Sequence, residues 1–419
     1  MITNDVREDR AFVAGLDLPG QPADLAELKA LVEATGATVV GEAVQSRRNP
    51  DPATFFGKGK VEEMAALIAA NQANMLVVDS ELSPTQIRNL EDQLEVHVLD
   101  RTQLIIDIFA QRARTYEGRL QVEIAQLTYG LPRLTGRGKE MSRLGGGIGT
   151  RGPGESKLEY DRRRIRERIS ELRKEVEAVK RHRTLLRTSR LRRGHPLVSL
   201  VGYTNAGKST LLNALTDSDI FAADMLFATL DPTTRVLPLP NGQEVAITDT
   251  VGFISRLPHM LVDAFHATLE EVQESDLLIH VVDASNPQFV EQMDSVHAVL
   301  AELEATDKKQ IIAYNKADLL PNPNDFMPPP SEHPWVLVSA STGQGLDTLK
   351  ELMATNLPDA PLRVTYYLPH SRGEVINWLH QQGEVVAQEY EAAGVKVVVN
   401  LRQAQIRQLA KQFGVQPKV

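Results

Sequence analysis

Residues 197–210 read LVSLVGYTNAGKST and contain the residue types that bind the phosphates of a nucleotide. An apolar stretch precedes G-x4-G-K-[ST], the phosphate-loop pattern of nucleoside triphosphatases. Its glycines permit conformations that a Cβ would hinder, and its backbone N–H groups cradle phosphate at a helix N-terminus. The lysine ammonium binds the β- and γ-phosphates, and the hydroxyl of the following serine or threonine ligates Mg2+. The predicted phosphate-binding residues are Gly202, Tyr203, Thr204, Asn205, Ala206, Gly207, Lys208, Ser209 and Thr210.

A second pattern, further along the chain, selects the base. Residues 315–318 read N-K-A-D after the apolar stretch 310–314, and residues 339–341 read S-A-S after another apolar stretch. In N-K-x-D the carboxylate accepts from N1–H and the exocyclic amine of guanine, a donor pair that adenine lacks. The lysine stem covers the purine face. The predicted guanine-binding residues are Asn315, Lys316, Asp318, Ser339, Ala340 and Ser341.

A third pattern lies between these two and points to the γ-phosphate. D-T-V-G follows the strand-like residues 245–248 and matches D-x-x-G. Its carboxylate is expected near Mg2+, behind the direct ligand Ser209, and its glycine N–H is expected at the γ-phosphate. The predicted switch II residues are Asp249, Thr250, Val251 and Gly252. Because the patterns occur in the order typical of a GTPase, each after a strand-like segment, they predict GTP binding and hydrolysis.

Phe253 follows D-x-x-G, where many GTPases have a glutamine that orients the attacking water. Because an aromatic ring cannot orient water by hydrogen bonding, we expect slow hydrolysis by the isolated site. Backbone groups, a cation or a partner must then supply the positioning. In GTPases that use potassium as a fixed cation, an asparagine at the position of Asn205 helps to bind the ion. We therefore formulate the hypothesis that K+ stimulates turnover.

The composition narrows the class of protein. A length of 419 residues suggests two or three domains, and 42% hydrophobic with 24% charged residues is typical of a globular protein. The absence of cysteine excludes disulfides, thiolate metal sites and thiol nucleophiles. The sequence contains no apolar segment typical of a signal peptide or a membrane span, so we expect a cytoplasmic protein.

The charge is distributed unevenly along the chain. Residues 101–195 contain 24 Lys and Arg against 11 Asp and Glu, although the whole chain has a net charge of −9. Apolar residues at helical spacing near 120–131 and 158–179 predict an antiparallel hairpin of two long helices, with a glycine-rich cationic tip between them. Such a hairpin either acts as a spacer or binds a polyanion such as RNA. The predicted RNA-binding residues are Arg137, Lys139, Arg143, Arg151, Arg162, Arg163, Arg164, Arg166 and Arg168.

The order of the segments predicts an α/β protein in four parts. We expect a small α/β domain with parallel strands at 1–112, the basic hairpin at 113–195, a P-loop GTPase domain at 196–358 and a small α+β domain at 359–419. The predicted helices are 25–35, 61–71, 83–94, 375–381 and 403–413. The predicted strands outside the GTPase part are 38–40, 74–78, 96–99, 363–368, 385–389 and 395–400.

The chain resembles the HflX family, a branch of the Obg–HflX group of translation-factor-related GTPases. The resemblance rests on GYTNAGKST, LFATLDPTTR and DTVGFI in the GTPase part, and on DRTQLIIDIFAQRART and GGGIGTRGPGE before it. It covers most of the chain, and only the last 50 or so residues match loosely. The resemblance implies a GTPase that binds the large ribosomal subunit through rRNA and ribosomal proteins. Some members of the family split or rescue stalled ribosomes under stress, and the resemblance implies a similar role here.

The same resemblance assigns switch I. In LFATLDPTTR, Thr229 matches the threonine that closes onto Mg2+ and the γ-phosphate. The predicted switch I residues are Phe227, Ala228, Thr229, Leu230 and Asp231. We expect GTP or GDP with Mg2+ as ligands, the large ribosomal subunit as partner, and a monomer.

Two other functions fit the same GTPase motifs. One is a regulatory switch that recruits proteins through a scaffold formed by the N-terminal part. The other is a GTPase of ribosome assembly or tRNA modification. Binding to RNA should weaken steeply with salt, whereas binding through apolar protein surfaces should not.

Overall fold

The computed structural model describes residues 9–20, 23, 25–135, 153–192, 196–216, 226–227, 233–255, 271–357, 362–391, 394–401 and 403–417. Three β-sheets lie in these parts of the chain. Two belong to α/β layers and the third is a small antiparallel sheet, so the predicted fold class is confirmed. In the described parts, no helix is both long and apolar enough to cross a membrane.

The N-terminal unit is built on four parallel strands. Its strands are β1 (Arg10–Asp17), β2 (Thr38–Ser46), β3 (Met75–Val78) and β4 (His97–Asp100), and its connecting helices are α1 (Leu25–Ala34), α2 (Lys58–Ala70) and α3 (Pro84–Leu94). The strand order is β2-β1-β3-β4. The parallel arrangement was predicted, but the central strand β1 was not. Its six inner residues are all buried, as expected for a strand with helices on both faces.

The basic region folds as two helices of unequal length. After α4 (Arg101–Arg112), the helices α5 (Tyr116–Gly130) and α6 (Pro153–Arg192) pack against each other. Tyr116 contacts Glu175, and Glu123, seven residues further along α5, contacts Arg168, seven residues earlier on α6. The two helices are therefore antiparallel. The prediction of two long helices is wrong for the first. Leu131 keeps right-handed helical backbone, but Pro132 has no N–H to continue the α-helical hydrogen bonds, and the chain goes on as a short 3-10 helix, Leu131–Thr135.

The GTPase unit contains a six-stranded sheet. Its strands are β5 (Leu197–Gly202), β6 (Thr233–Pro238), β7 (Glu244–Asp249), β8 (Leu277–Asp283), β9 (Gln310–Asn315) and β10 (Trp335–Leu337), and its helices include α7 (Lys208–Thr216), α8 (Phe289–Glu302) and α9 (Leu346–Asn356). The order is β10-β9-β8-β5-β7-β6, and β6 alone among these strands runs antiparallel to its neighbour. The chain therefore leaves β5 at the point where the strand order reverses, which is where open α/β sheets bind ligands.

The C-terminal unit is a three-stranded antiparallel sheet with two helices. Its elements are β11 (Leu362–Leu368), α10 (Gly373–Gln382), β12 (Glu384–Glu391), β13 (Gly394–Leu401) and α11 (Gln403–Phe413). The strand order is β11-β13-β12. Its buried residues form a hydrophobic cluster of their own. All five elements agree with the predicted α+β unit.

One hydrophobic cluster extends from the N-terminal unit into the GTPase unit. Leu28 of α1 and Phe109 of α4 belong to the same cluster as Tyr203, Phe227 and Phe253 of the GTPase unit. The rings of Phe109 and Phe227 meet edge to face, with centroids 4.7 Å apart. The N-terminal helices therefore pack directly on the segments expected to surround the nucleotide.

Candidate GTP-binding site

The phosphate loop connects β5 to α7, as its sequence predicts. Gly207 has a φ of 90°, and a Cβ at this residue would lie 2.3 Å from Nδ2 of Asn315. The same Nδ2 donates to the carbonyl oxygen of Ala206 at 2.9 Å. The first residue of N-K-x-D thus supports the phosphate loop, and the two motifs form one site.

Lys208 lies beneath the phosphate loop with its ammonium directed along it. Nζ donates to the carbonyl oxygens of Gly202 at 3.0 Å and Tyr203 at 2.8 Å. Burial lowers the pKa of Lys208 to about 8, against the opposing effect of the Asp249 carboxylate. A Cβ on Gly252 would lie 3.0 Å from Nζ, so switch II meets the lysine at the end of the loop expected to hold the γ-phosphate.

The residues expected to hold Mg2+ lie side by side. The Ser209 hydroxyl donates to Oδ2 of Asp249 at 2.6 Å, and Asp249 is fully buried at the end of β7. Hydroxyl and carboxylate oxygens are the donors that Mg2+ prefers, and the ion usually takes its remaining ligands from phosphate and water. The pair therefore fits a magnesium ion between the protein and a bound triphosphate. Thr229 falls outside the described residues.

The guanine motifs form a connected pocket at the ends of β9 and β10. The Ser339 hydroxyl donates to Oδ1 of Asp318 at 2.6 Å and lies 3.0 Å from the Ser341 hydroxyl. The Ser339 hydrogen bond is the main cause of a lowered pKa at Asp318, which favours the ionised carboxylate that the N-K-x-D motif is expected to use. The Ala340 N–H donates to Oδ1 of Asn315 at 3.0 Å. All the predicted guanine-binding residues are thus brought to one place.

Asp283 belongs to this pocket although the sequence analysis did not identify it. Its Oδ2 lies 2.7 Å from Nζ of Lys316 and holds the lysine that is expected to cover the base. Asp283 ends β8, the strand between β5 and β9. Its position directly after an apolar strand could have identified it, since functional residues are often found at the strand ends on this edge of such a sheet.

The main chain of switch II is attached to the phosphate loop. The Thr204 N–H donates to the Phe253 carbonyl oxygen at 2.7 Å, and the Phe253 N–H donates to the Gly202 carbonyl oxygen at 3.1 Å. The Phe253 ring is buried in the cluster shared with the N-terminal unit. Phe253 therefore acts as a core residue here, which agrees with the expectation that its side chain does not orient water.

Glu27 of the N-terminal unit connects to both the phosphate loop and switch II. Its carboxylate accepts from the Tyr203 hydroxyl and, at 2.6 Å, from the Ser255 hydroxyl. The Ser255 N–H donates to the Tyr203 oxygen at 2.8 Å. Arg101 donates to the carboxylates of Glu27 at 2.5 Å and Asp79 at 2.7 Å, and to the Ser255 carbonyl oxygen at 2.9 Å. We call these five residues the Glu27 network; no role was assigned from the sequence to its N-terminal members, Glu27, Asp79 and Arg101.

The predicted RNA-binding residues are only partly described. Arg168 contacts Glu123 across the hairpin at 2.9 Å, so it stabilises the helix pair. Arg162, Arg163, Arg164 and Arg166 lie on the same helix, and Arg163 has Glu167 one turn away at 3.8 Å. The remaining predicted RNA and switch I residues lie outside the described residues: Arg137, Lys139, Arg143, Arg151, Ala228, Thr229, Leu230 and Asp231.

Comparison with known proteins agrees with this geometry. Three family descriptions match: "GTP-binding GTPase N-terminal" at residues 22–110, "GTP-binding GTPase Middle Region" at 112–190 and "50S ribosome-binding GTPase" at 197–316. The GTPase HflX of Caldanaerobacter subterraneus subsp. tengcongensis is 47% identical over 391 residues, which cover 93% of this chain and 90% of that protein. The chain belongs to the HflX family of GTPases.

Other similar proteins include the GTPase HflX of Escherichia coli (strain K12), with 42% identity over 395 residues, which cover 93% of this chain and 92% of that protein. A GTP-binding protein from Sulfolobus solfataricus, crystallised with GDP, is 24% identical with a TM-score of 0.43, and the match covers 83% of this chain and 98% of that one. Membership of the HflX family confirms the prediction that the chain is a GTPase.

Proposed function

We propose that this HflX-family GTPase binds the large ribosomal subunit through rRNA contacts of its basic hairpin and hydrolyses GTP in a ribosome-stimulated cycle. Its physiological act is the splitting or rescue of stalled ribosomes, in the cytoplasm. In this proposal the hairpin, 113–195, binds rRNA and the GTPase part, 196–358, binds the nucleotide.

The observation that carries the proposal is the long basic helix that precedes the GTPase unit in the chain. Residues 101–195 carry 24 cationic against 11 acidic side chains, and α6 within that region is 40 residues long. Arg163, Arg164 and Arg166 are exposed on it. RNA backbones bind such an element through phosphate contacts. The description "50S ribosome-binding GTPase" of the family matched by residues 197–316 supports the same partner.

The nucleotide site follows the residue roles derived from the sequence. The phosphate loop and switch II bind the phosphates, Ser209 and Thr229 ligate Mg2+ with Asp249 behind them, and the N-K-x-D and S-A-S residues bind guanine. A magnesium ion held by these residues would neutralise negative charge on the phosphates. Asn205, whose φ is 61°, contributes to a K+ site beside the phosphates. Because Phe253 offers no water-orienting group, stimulation by the ribosome and by K+ supplies what the isolated site lacks.

The proposal is tested by GTP hydrolysis with and without purified large subunits, at moderate and high salt. The test variant carries Arg163→Gln, Arg164→Gln and Arg166→Gln. The control carries Arg88→Gln, Arg363→Gln and Lys411→Gln, which remove the same charge from exposed residues elsewhere. We expect strong stimulation of the wild type and the control. In the test variant, the slope of log affinity for the large subunit against log salt should become shallower by about 2, because each lost phosphate contact contributes about 0.7 to 0.9.

Stimulation that is insensitive to salt, or equal in the two triple variants, would refute binding through the hairpin and favour a protein-recruiting switch. Normal GTP binding without any stimulation would favour an assembly role.

The potassium hypothesis has a separate test at saturating Mg2+. Turnover should be faster in potassium than in sodium buffer, and identical rates would end the hypothesis.

A further inference from the structure

The Glu27 network is a buried ionic contact between two units of the protein. The side chain of Arg101 is 4% exposed, and Tyr203 is 8% exposed. Burial opposes the charge of Arg101, yet the carboxylates of Glu27 and Asp79 raise its pKa overall. Removing one partner of such a buried group leaves a charge or a donor without compensation, which is strongly unfavourable. The network therefore fixes the distance between α1, α4 and Ser255.

Ser255 is three residues beyond Gly252, the glycine expected to donate to the γ-phosphate. The intervening Phe253 is attached to the phosphate loop by two backbone hydrogen bonds. Gly252 is held close to the ammonium of Lys208, since a Cβ on Gly252 would lie 3.0 Å from Nζ. Switch II is thus fastened at both sides, by the phosphate loop and by the N-terminal helices.

We propose that Tyr203 and Glu27 are positioning residues that, through Ser255, hold Gly252 ready for the γ-phosphate, so that the N-terminal helices favour GTP over GDP. GDP has no γ-phosphate for Gly252 to contact, so the benefit of a preorganised switch II goes to GTP alone. By thermodynamic reciprocity, GTP strengthens the contact of switch II with α1 and α4. The proposal rests on the nucleotide-site roles proposed above, but not on ribosome binding.

The test compares Tyr203→Phe and Glu27→Gln with the wild type by measuring the Kd of GDP and of a non-hydrolysable GTP analogue in Mg2+ buffer. Tyr203→Phe keeps the ring and removes only the hydroxyl that pairs with Glu27 and Ser255. Tyr366→Phe is the control, because it removes the hydroxyl of a buried tyrosine in the C-terminal unit. The double variant, Tyr203→Phe with Glu27→Gln, shows whether the two residues act through one contact.

We expect the Kd of the GTP analogue to rise about fivefold in each single variant, which corresponds to the loss of one hydrogen bond. The Kd of GDP should change by less than about twofold, the double variant should resemble the singles, and Tyr366→Phe should resemble the wild type. Equal weakening of both nucleotides, or unchanged discrimination in both single variants, would overturn the proposal. If the wild type failed to bind GDP, the roles proposed for the nucleotide site would themselves be refuted. This outcome differs from the two that overturn the positioning role of Tyr203 and Glu27.

Discussion

Lys208 titrates close to the pH at which nucleotide binding is usually measured. Burial lowers the pKa of its ammonium to about 8. The protonated form carries the charge that phosphates require, so it is the form that binds. At pH 7 nearly all empty sites are protonated, whereas near pH 9 few are. Nucleotide affinity should therefore fall as the pH rises through 8.

We expect the Kd of GDP to increase about sevenfold from about pH 7.0 to about pH 8.8, as for a single group with this pKa. Titration with a fluorescent GDP derivative measures it. Lys208→Gln is the control, since its weaker binding should retain only the pH dependence of the nucleotide itself. The same pH dependence in both proteins would show that another group is responsible.

Asp318 determines the base through its acceptor pair. Replacing it with Asn places an amide donor opposite a donor of guanine, and we expect Asp318→Asn to weaken GTP binding by about a hundredfold or more. Xanthosine triphosphate should gain affinity, because its carbonyl at position 2 accepts from the new amide. Competition binding measures both. Asp325→Asn, an exposed site in the same loop, should leave both affinities unchanged. A parallel loss for the two nucleotides would contradict this role.

At the scale of elements, regular patterns were predicted well, and the exceptions have physical causes. The predicted helix 403–413 has the observed bounds of α11, because its apolar residues recur with a clear helical period. The first hairpin helix is shorter than predicted because Pro132, just beyond the last apolar residue of that spacing, has no N–H to continue the α-helical hydrogen bonds. The central strand β1 is buried on both faces and therefore lacks the alternation that marks a half-buried strand.

Asp100 joins three elements at the base of the hairpin. It is fully buried, caps α4 through the Gln103 N–H at 2.9 Å, and accepts from the Tyr129 hydroxyl at 2.6 Å and from Arg133 at 3.1 Å. Because the two last residues belong to α5 and the following 3-10 helix, one carboxylate connects the hairpin to β4 and α4. The Asp100 carboxylate is therefore one of the contacts that fix the hairpin on the first sheet.

We expect Asp100→Asn to destabilise the protein by about 3 kcal/mol, because an amide cannot accept from all these donors and Arg133 loses its carboxylate partner. The midpoint of thermal unfolding, followed by circular dichroism, should fall by several degrees. Asp92→Asn, an exposed residue of α3, should change stability by less than about 0.5 kcal/mol. Equal midpoints for the two variants would contradict the anchoring role of Asp100.

At the scale of the whole molecule, the nucleotide motifs were predictable and their attachment to the N-terminal unit was not. The phosphate loop, D-x-x-G and N-K-x-D are local patterns, so their residues could be assigned from spacing alone. Glu27 and Arg101 lie on helices 74 residues apart in sequence and meet Ser255 only through tertiary packing. No local pattern records such a contact. The predicted domain boundaries remain predictions.

The cluster shared by the N-terminal and GTPase units should link their stabilities. We expect GDP to slow amide hydrogen exchange in α1 and α4 as well as in the GTPase unit, because opening either unit exposes the common cluster. Phe109→Ala should destabilise by about 3 to 5 kcal/mol and confine the effect of GDP to the GTPase unit.

Phe56→Ala is the control for this prediction. Phe56 is equally buried but belongs to a separate cluster within the N-terminal unit. It should lower stability by a similar amount while the effect of GDP on α1 and α4 persists. Protection by GDP that stops at the GTPase unit in the wild type would contradict the linkage.

The length of α6 gives small movements a long reach. Forty residues of helix extend about 60 Å, at 1.5 Å per residue. Its middle turns pack on α5, which is joined through α4 to Arg101 and hence to Ser255. About 30 Å of helix lies between those middle turns and either end, so a tilt of about 10° there would move the end by about 5 Å, roughly the rise of one helical turn. The hairpin is thus a lever arm, since a small rotation where α6 packs on α5 becomes a displacement of several ångströms at the end of the helix.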